Sequence, residues 1–173
     1  FPELPESTIK LPVNTTTGWT TTNAAHSVSV VDISDASIVE KTGSNKAIRL
    51  TIGAAETTAY ATYTYATGQD FSNKDLLLWV RFLDGTGSAD LLKMVALSAR
   101  IRLNYLHGWI YSIASVTLDY VREGWFAFSF IPEDYQTVVG SPSINNIKEI
   151  SIGIQKNATA DTPIIEIGMV AFV

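Results

Sequence analysis

Two histidines, His26 and His107, are the only imidazoles in the chain, and both lie beside turn-like sequence with no Ser/His/Asp context around them. Nucleophilic or acid–base catalysis needs a base held against its partner and oriented by a third group. The sequence offers no such set, and no Gly-x-Ser-x-Gly elbow occurs. Hydrolysis of a glycosidic bond needs two carboxyl groups aimed at one bond. No candidate strand carries two acids on one face, and the adjacent Glu133 and Asp134 point apart in extended chain. The segment Asp84-Gly85-Thr86-Gly87-Ser88-Ala89-Asp90 looks like a cation or phosphate loop at first. An EF-type loop would need a bidentate Glu at its twelfth position, where Val95 stands, and a phosphate loop would need a helix after its glycines. A flexible hairpin connection fits it better. The scattered acids Asp32, Asp35, Glu40 and Asp161 leave a structural calcium between strands open, and with no cysteine there is neither a disulfide nor a thiolate metal site. These residues argue against an enzyme.

Binding chemistry is better represented. If Leu78, Val80 and Phe82 face a core, Trp79 and Arg81 face outward; if Val95 to Leu103 bury their odd positions, Arg100, Arg102 and Asn104 face outward. Tyr105, His107, Trp109 and Tyr111 gather about the His107-Gly108 turn. Sugars present apolar C–H faces and hydroxyl rims, so their sites join flat rings to Arg or amide hydrogen-bonding groups. Should these strands share a sheet, Trp79, Arg81, Arg100, Arg102, Asn104, Tyr105, Trp109 and Tyr111 form a basic, aromatic face suited to an anionic glycan. Two plainer readings stand beside this one: Trp79 buried under a flanking loop, and the aromatic turn as a plug over one end of the fold. Tyr60, Tyr63 and Tyr65 occupy both faces of one strand, which sends at least one to solvent, and Trp19 and Trp125 read as structural.

Bulk composition agrees with binding by a compact domain. The 173 residues are 46% hydrophobic and 17% charged, fewer charges than the roughly 25% of an average domain. A net charge of -5 works against nucleic acid and against an anionic membrane surface, both of which call for clustered Lys and Arg. Leu76 to Leu83, the longest apolar run, contains Arg81 and is too short to insert into a membrane. The start at Phe1 reads as a piece cut from a longer protein.

The elements carrying these residues are strands. Residues 1–18, with Pro2, Pro5 and Pro12, form an extended lead-in, either a linker or an edge segment along the fold; a single domain spans 19–173. Beyond it the apolar period is two: Val28 to Ile33 (with a phase change suggesting a bulge), Ala47 to Ile52, Ala59 to Ala66, Leu76 to Leu83 and Val95 to Tyr105. Trp109 to Ile113, Val116 to Tyr120, Trp125 to Ile131, Ile147 to Ile154 and Ile164 to Phe172 continue it. Asp134 to Val139 allows at most one helical turn. Short strands with turn signals between them predict one all-β sandwich or barrel.

Four segments carry a resemblance: Lys41 to Leu50, Asp70 to Val80, Arg122-Glu123-Gly124-Trp125 with its strand, and Ile147 to Ile154. In their order they resemble the carbohydrate-binding-module and galactose-binding-like domains of bacterial carbohydrate-active enzymes and phage tail proteins. The resemblance implies a two-sheet antiparallel β-sandwich (jelly roll). It also implies a last strand with an Asp for structural calcium, where this chain has Gly168. By function it implies a non-catalytic module of a larger secreted or virion protein, with a polysaccharide or cell-surface glycan as partner. A structural or receptor-binding domain of a phage tail fibre or spike, as a homotrimer, is the alternative, and a polysaccharide-cleaving enzyme the third.

Overall fold

The computed structural model describes residues 8–21, 23–54, 58–83, 98–105, 108–114, 124–130, 137–140, 143–155 and 164–173. The loop 84–90, Val95, His107, the strand expected over 116–120, Glu133, Asp134 and Asp161 lie outside them. In chain order the first strands are β1 (Ile9–Lys10), β2 (Trp19–Thr21), β3 (Ser27–Asp32), β4 (Lys46–Thr51), β5 (Thr58–Gln69) and β6 (Leu76–Leu83). They continue with β7 (Ser98–Tyr105), β8 (Gly108–Ala114), β9 (Trp125–Phe130), β10 (Thr137–Gly140), β11 (Ile147–Gln155) and β12 (Ile164–Phe172); a helix, α1 (Ala36–Thr42), joins β3 to β4.

Two six-stranded antiparallel sheets result, a sandwich of the jelly-roll kind. Sheet A runs β3-β4-β12-β6-β9 with β1 added to β12, and sheet B runs β10-β8-β7-β11-β5-β2. Alternation explains the layering. On sheet A, Ile48, Leu50, Leu76, Leu78, Val80, Ile165, Ile167, Val170 and Phe172 are buried in one core with Ala59, Ala61, Ile150 and Ile152 of sheet B. Each such Leu or Ile contributes roughly 1.5–3 kcal/mol on burial. By register Phe126, Phe128 and Phe130 sit opposite Val80, Leu78 and Leu76, in the same core rows. One end of this core is a column of rings: Trp19–Tyr63–Tyr65–Phe71 edge to face at 5.4, 5.0 and 6.2 Å, then Phe71 stacked on Phe172 at 3.8 Å. Within it the Tyr65 hydroxyl is buried without a hydrogen-bond partner among the described residues, and burial, reinforced by Tyr63, pushes its ionisation far above the ordinary phenol range.

Several expectations need correction. Of the two readings of the lead-in, the edge segment and not the linker describes it from Thr8 onward: Ile9 and Lys10 pair with Phe172 and Ala171, and Leu11 and Val13 are buried in the core. No bulge interrupts β3, whose register with β4 is unbroken from Ser27↔Thr51 to Asp32↔Lys46. The phase change there has another cause. Val28 and Val30 pack on the main core, whereas Val31 and Ile33 pack on the outer face of sheet A in a second cluster with Ile38, Val39 and Ala47. Helix α1 covers that face. It starts at Asp35, whose side chain accepts from the Ser37 N–H, and stops at Gly43 in the left-handed conformation (φ 69). Thr137–Gly140 is a strand pairing with β8, not part of a helical turn. Tyr60 is buried and Tyr63 and Tyr65 are half-buried, so none of the three is exposed.

Candidate functional site

The structure divides the eight candidate residues between two sheets. Strand β6, with Trp79 and Arg81, belongs to sheet A; β7 and β8, with the other six, belong to sheet B. The single patch expected if the strands shared a sheet is therefore not formed.

On sheet B the register gathers five of the six. Ala99, Ile101 and Leu103 sit opposite Ile154, Ile152 and Ile150, in the core rows. Arg100, Arg102 and Asn104 fall in the alternate rows, opposite Gly153, Ser151 and Glu149 on β11. On β8 the partners of Asn104 and Arg102 are Trp109 and Tyr111. One row thus reads Thr20, Thr62, Ser151, Arg102, Tyr111, Thr137, and its neighbour Thr64, Glu149, Asn104, Trp109, Val139. The first row crosses six strands, about 24 Å from end to end at the usual strand spacing. Tyr105, opposite Gly108, shares the parity of Ile101 and Leu103 and stands outside this group.

Strands β11 and β5, on one side of β7, carry polar and close-packed residues in the same rows. Thr62 Oγ1 and Ser151 Oγ are 2.8 Å apart, and both residues are buried. At Gly153 the two backbones approach so closely that a Cβ would lie 1.8 Å from the Ala59 carbonyl oxygen, so this place in the Arg100 row must lack a side chain. Two guanidinium-bearing positions two residues apart lie about 7 Å apart along one strand, a cationic focus on a chain of net charge -5. Rings and Arg or amide groups alternating across neighbouring strands can stack on sugar faces and donate to hydroxyl or carboxylate oxygens.

Trp79 and Arg81 are structural by their contacts. Half-buried Trp79 packs on the cluster beneath α1, with the Lys41 ammonium 5.5 Å from its ring centroid. Arg81 donates from Nε and Nη2 to Glu166 Oε1 at 2.8 and 2.6 Å. Arg49 holds Oε2 from the other side, from Nε at 2.9 Å and Nη2 at 2.7 Å. The Glu166 side chain is 1% exposed and the two arginines about a third, at 34% and 31%. Trp125 lies against Arg81, 5.5 Å from guanidinium to ring centroid. This ladder escaped the sequence reading; its signal was Glu166, the sole acid in a strand of apolar residues.

The residues do not fit the calcium that the resemblance implies on the last strand. Gly168 occupies a register shift between Ile167 and Met169, and a Cβ there would meet Trp125 Cζ3 at 2.9 Å. Asp32 is paired with Lys46, Asp35 caps α1 and Glu40 is exposed on that helix. The Ser37 hydroxyl and then its N–H hold the Asp35 carboxyl below the usual range. Among the described residues no three His, Cys, Asp or Glu side chains gather as a metal site would require.

No family model matches the chain, and no curated protein matches it in sequence. Solved structures do match. The family 11 carbohydrate-binding module from Clostridium thermocellum, in complex with a β-1,3-1,4-mixed-linked tetrasaccharide, superposes with a TM-score of 0.59, covering 96% of this chain and 95% of that one at 8% identity. A family 30 carbohydrate-binding module gives 0.54 over 96% and 98% of the two chains at 9% identity. An exo-β-agarase gives 0.55 at 9% identity over 98% of this chain but only 23% of its own. At such identities the likeness is one of fold, and it covers nearly the whole of both modules.

Proposed function

We propose that the protein is a non-catalytic carbohydrate-binding module of a larger secreted or virion protein, holding a polysaccharide on the outer face of sheet B. The observation that carries this reading is the register that pairs Arg102 with Tyr111 and Asn104 with Trp109, with Arg100 two residues before Arg102 on the same strand. Trp109 and Tyr111 would stack on sugar rings, and Arg100, Arg102 and Asn104 would bond hydroxyls or carboxylates, favouring a uronate-bearing glycan. The fold it shares with two carbohydrate-binding modules supports the reading. Binding needs no moving part, because the face lies on the regular strands of a packed sheet.

Affinity electrophoresis in gels cast with neutral and acidic polysaccharides tests it. Retention by an acidic polysaccharide is expected, abolished in Trp109→Ala and kept in Trp125→Phe. Passage of the wild type through every gel without delay overturns the proposal.

A further inference from the structure

We infer that a second, smaller ligand site lies on the other sheet, where sheet A splits, and that it takes a single sugar unit bearing a carboxylate. Strand β12 pairs with β4 over Ile164–Ile167 and, past its register shift, with β1 at Ala171 and Phe172. Its two partners on that side therefore diverge. Between them lies a cavity of about 480 Å³ lined by Lys10 to Asn14 on one side and Val39 and Gly43 to Asn45 on the other, within the roughly 300–1,000 Å³ of small-molecule sites.

The lining has the makeup of a polyol site. Leu11 and Val13, both buried, with Pro12 and Val39, supply an apolar floor. Asn14 and Asn45 are exposed, and their side-chain amides take no partner among the described residues. Each offers a donor pair and an acceptor, the set that bonds neighbouring hydroxyls. Lys10 is the only charged lining residue among the described residues. Its Nζ donates to the Thr42 carbonyl oxygen at 2.8 Å, which fixes the ammonium at the cavity and leaves two N–H donors. Among the described residues no aromatic ring and no acid lines the cavity, so a sugar there is held by hydrogen bonds and charge rather than stacking, and Lys10 makes the favoured charge negative. The site is independent of the face on sheet B.

Titration of the ¹⁵N-labelled protein with D-glucuronate and with D-glucose, followed by NMR, tests it. Glucuronate is expected to shift the side-chain amides of Asn14 and Asn45 and the backbone of Gly43 and Ser44. It should bind about fivefold tighter than glucose, the ratio given by an exposed charge pair worth ~1 kcal/mol. Lys10→Met should erase that preference, and Asn45→Ala, at an exposed position, should weaken both sugars. No shift at these four residues with either sugar overturns the site; equal affinity for the two sugars overturns its assignment to an acidic unit. Sheet B is judged separately by polysaccharide retention and its loss in Trp109→Ala, so failure of one reading does not touch the other.

Discussion

Cutting the Glu166 ladder one arginine at a time should reveal a large non-additivity. Each guanidinium supplies two N–H donors to one oxygen of a carboxylate that is 1% exposed. Arg49→Met removes two charge-assisted bonds, but that arginine is itself 34% exposed, so water makes good part of the loss and the net cost is about 0.5–1 kcal/mol. Arg81→Met should cost ~0.5 kcal/mol more, because it also gives up the contact with Trp125. In either single variant one arginine still balances the charge. The double variant leaves a buried carboxylate with neither counter-charge nor donor, a situation that costs about 3–5 kcal/mol beyond what water can repair. Its destabilisation should therefore exceed the sum of the singles by about 2 kcal/mol. Adding Glu166→Leu to the double variant should recover most of that excess, since it removes the buried charge that the two arginines no longer balance. Urea unfolding at neutral pH, with slopes compared to confirm two-state behaviour, measures all four variants. A double variant additive within about 0.5 kcal/mol, or a triple variant no more stable than the double, would refute the account.

Further outcomes concern other parts of the molecule. Tyr65→Phe removes a buried hydroxyl that has no partner among the described residues and should leave the melting temperature unchanged or raised. Because the ionisation of Tyr65 is raised by folding, its stabilising effect is complete below the unfolded phenol value of about 10 and lost above it; the variant should thus withstand alkali better, and early alkaline unfolding of Tyr65→Phe in circular dichroism would count against this. Gly153→Ala, with its Cβ placed 1.8 Å from a backbone oxygen, should lose more than ~2 kcal/mol in denaturant melts, whereas Gly124→Ala, with nothing within 4 Å, should suffer only from its positive φ of 148. Asp35→Asn should weaken α1 at neutral pH. The folded Asp35 carboxyl titrates low, so its contribution is present above the unfolded value of about 4 and fades as pH falls further; a gap between variant and wild type that widens on acidification would contradict the cap.

The sandwich was legible because its strands bury alternate residues: Ile48/Leu50, Leu76/Leu78/Val80 and Ile150/Ile152 announce a core face with no help from the rest of the chain. Helix α1 escaped notice because seven residues are too few to show a 3.6-residue period, although Asp35 and Gly43 are its proper start and stop. Val31 and Ile33 imitate a bulge in the sequence because a face covered by a helix breaks the simple rule of oily inside and polar outside. For the candidate site, the sequence pattern orders residues within each strand and leaves the pairing of strands open. Alternation says which residues share a side of β6 or of β7, but not which sheet each strand joins, and Trp79 therefore parted from Trp109. The cavity beside Lys10 depends on two segments more than 30 residues apart diverging from β12, which no local pattern announces.

Strand β12 is apolar on both sides, with every residue from Ile165 to Phe172 buried, so greasiness alone would let it settle against its neighbours in more than one alignment. Displaced by a single step, Glu166 would point into the hydrocarbon between the layers and both guanidiniums would face methyl groups. The carboxylate thus acts as an indexing pin: it makes every wrong alignment of a sticky segment expensive, and so singles out the one on which the shape of both faces depends.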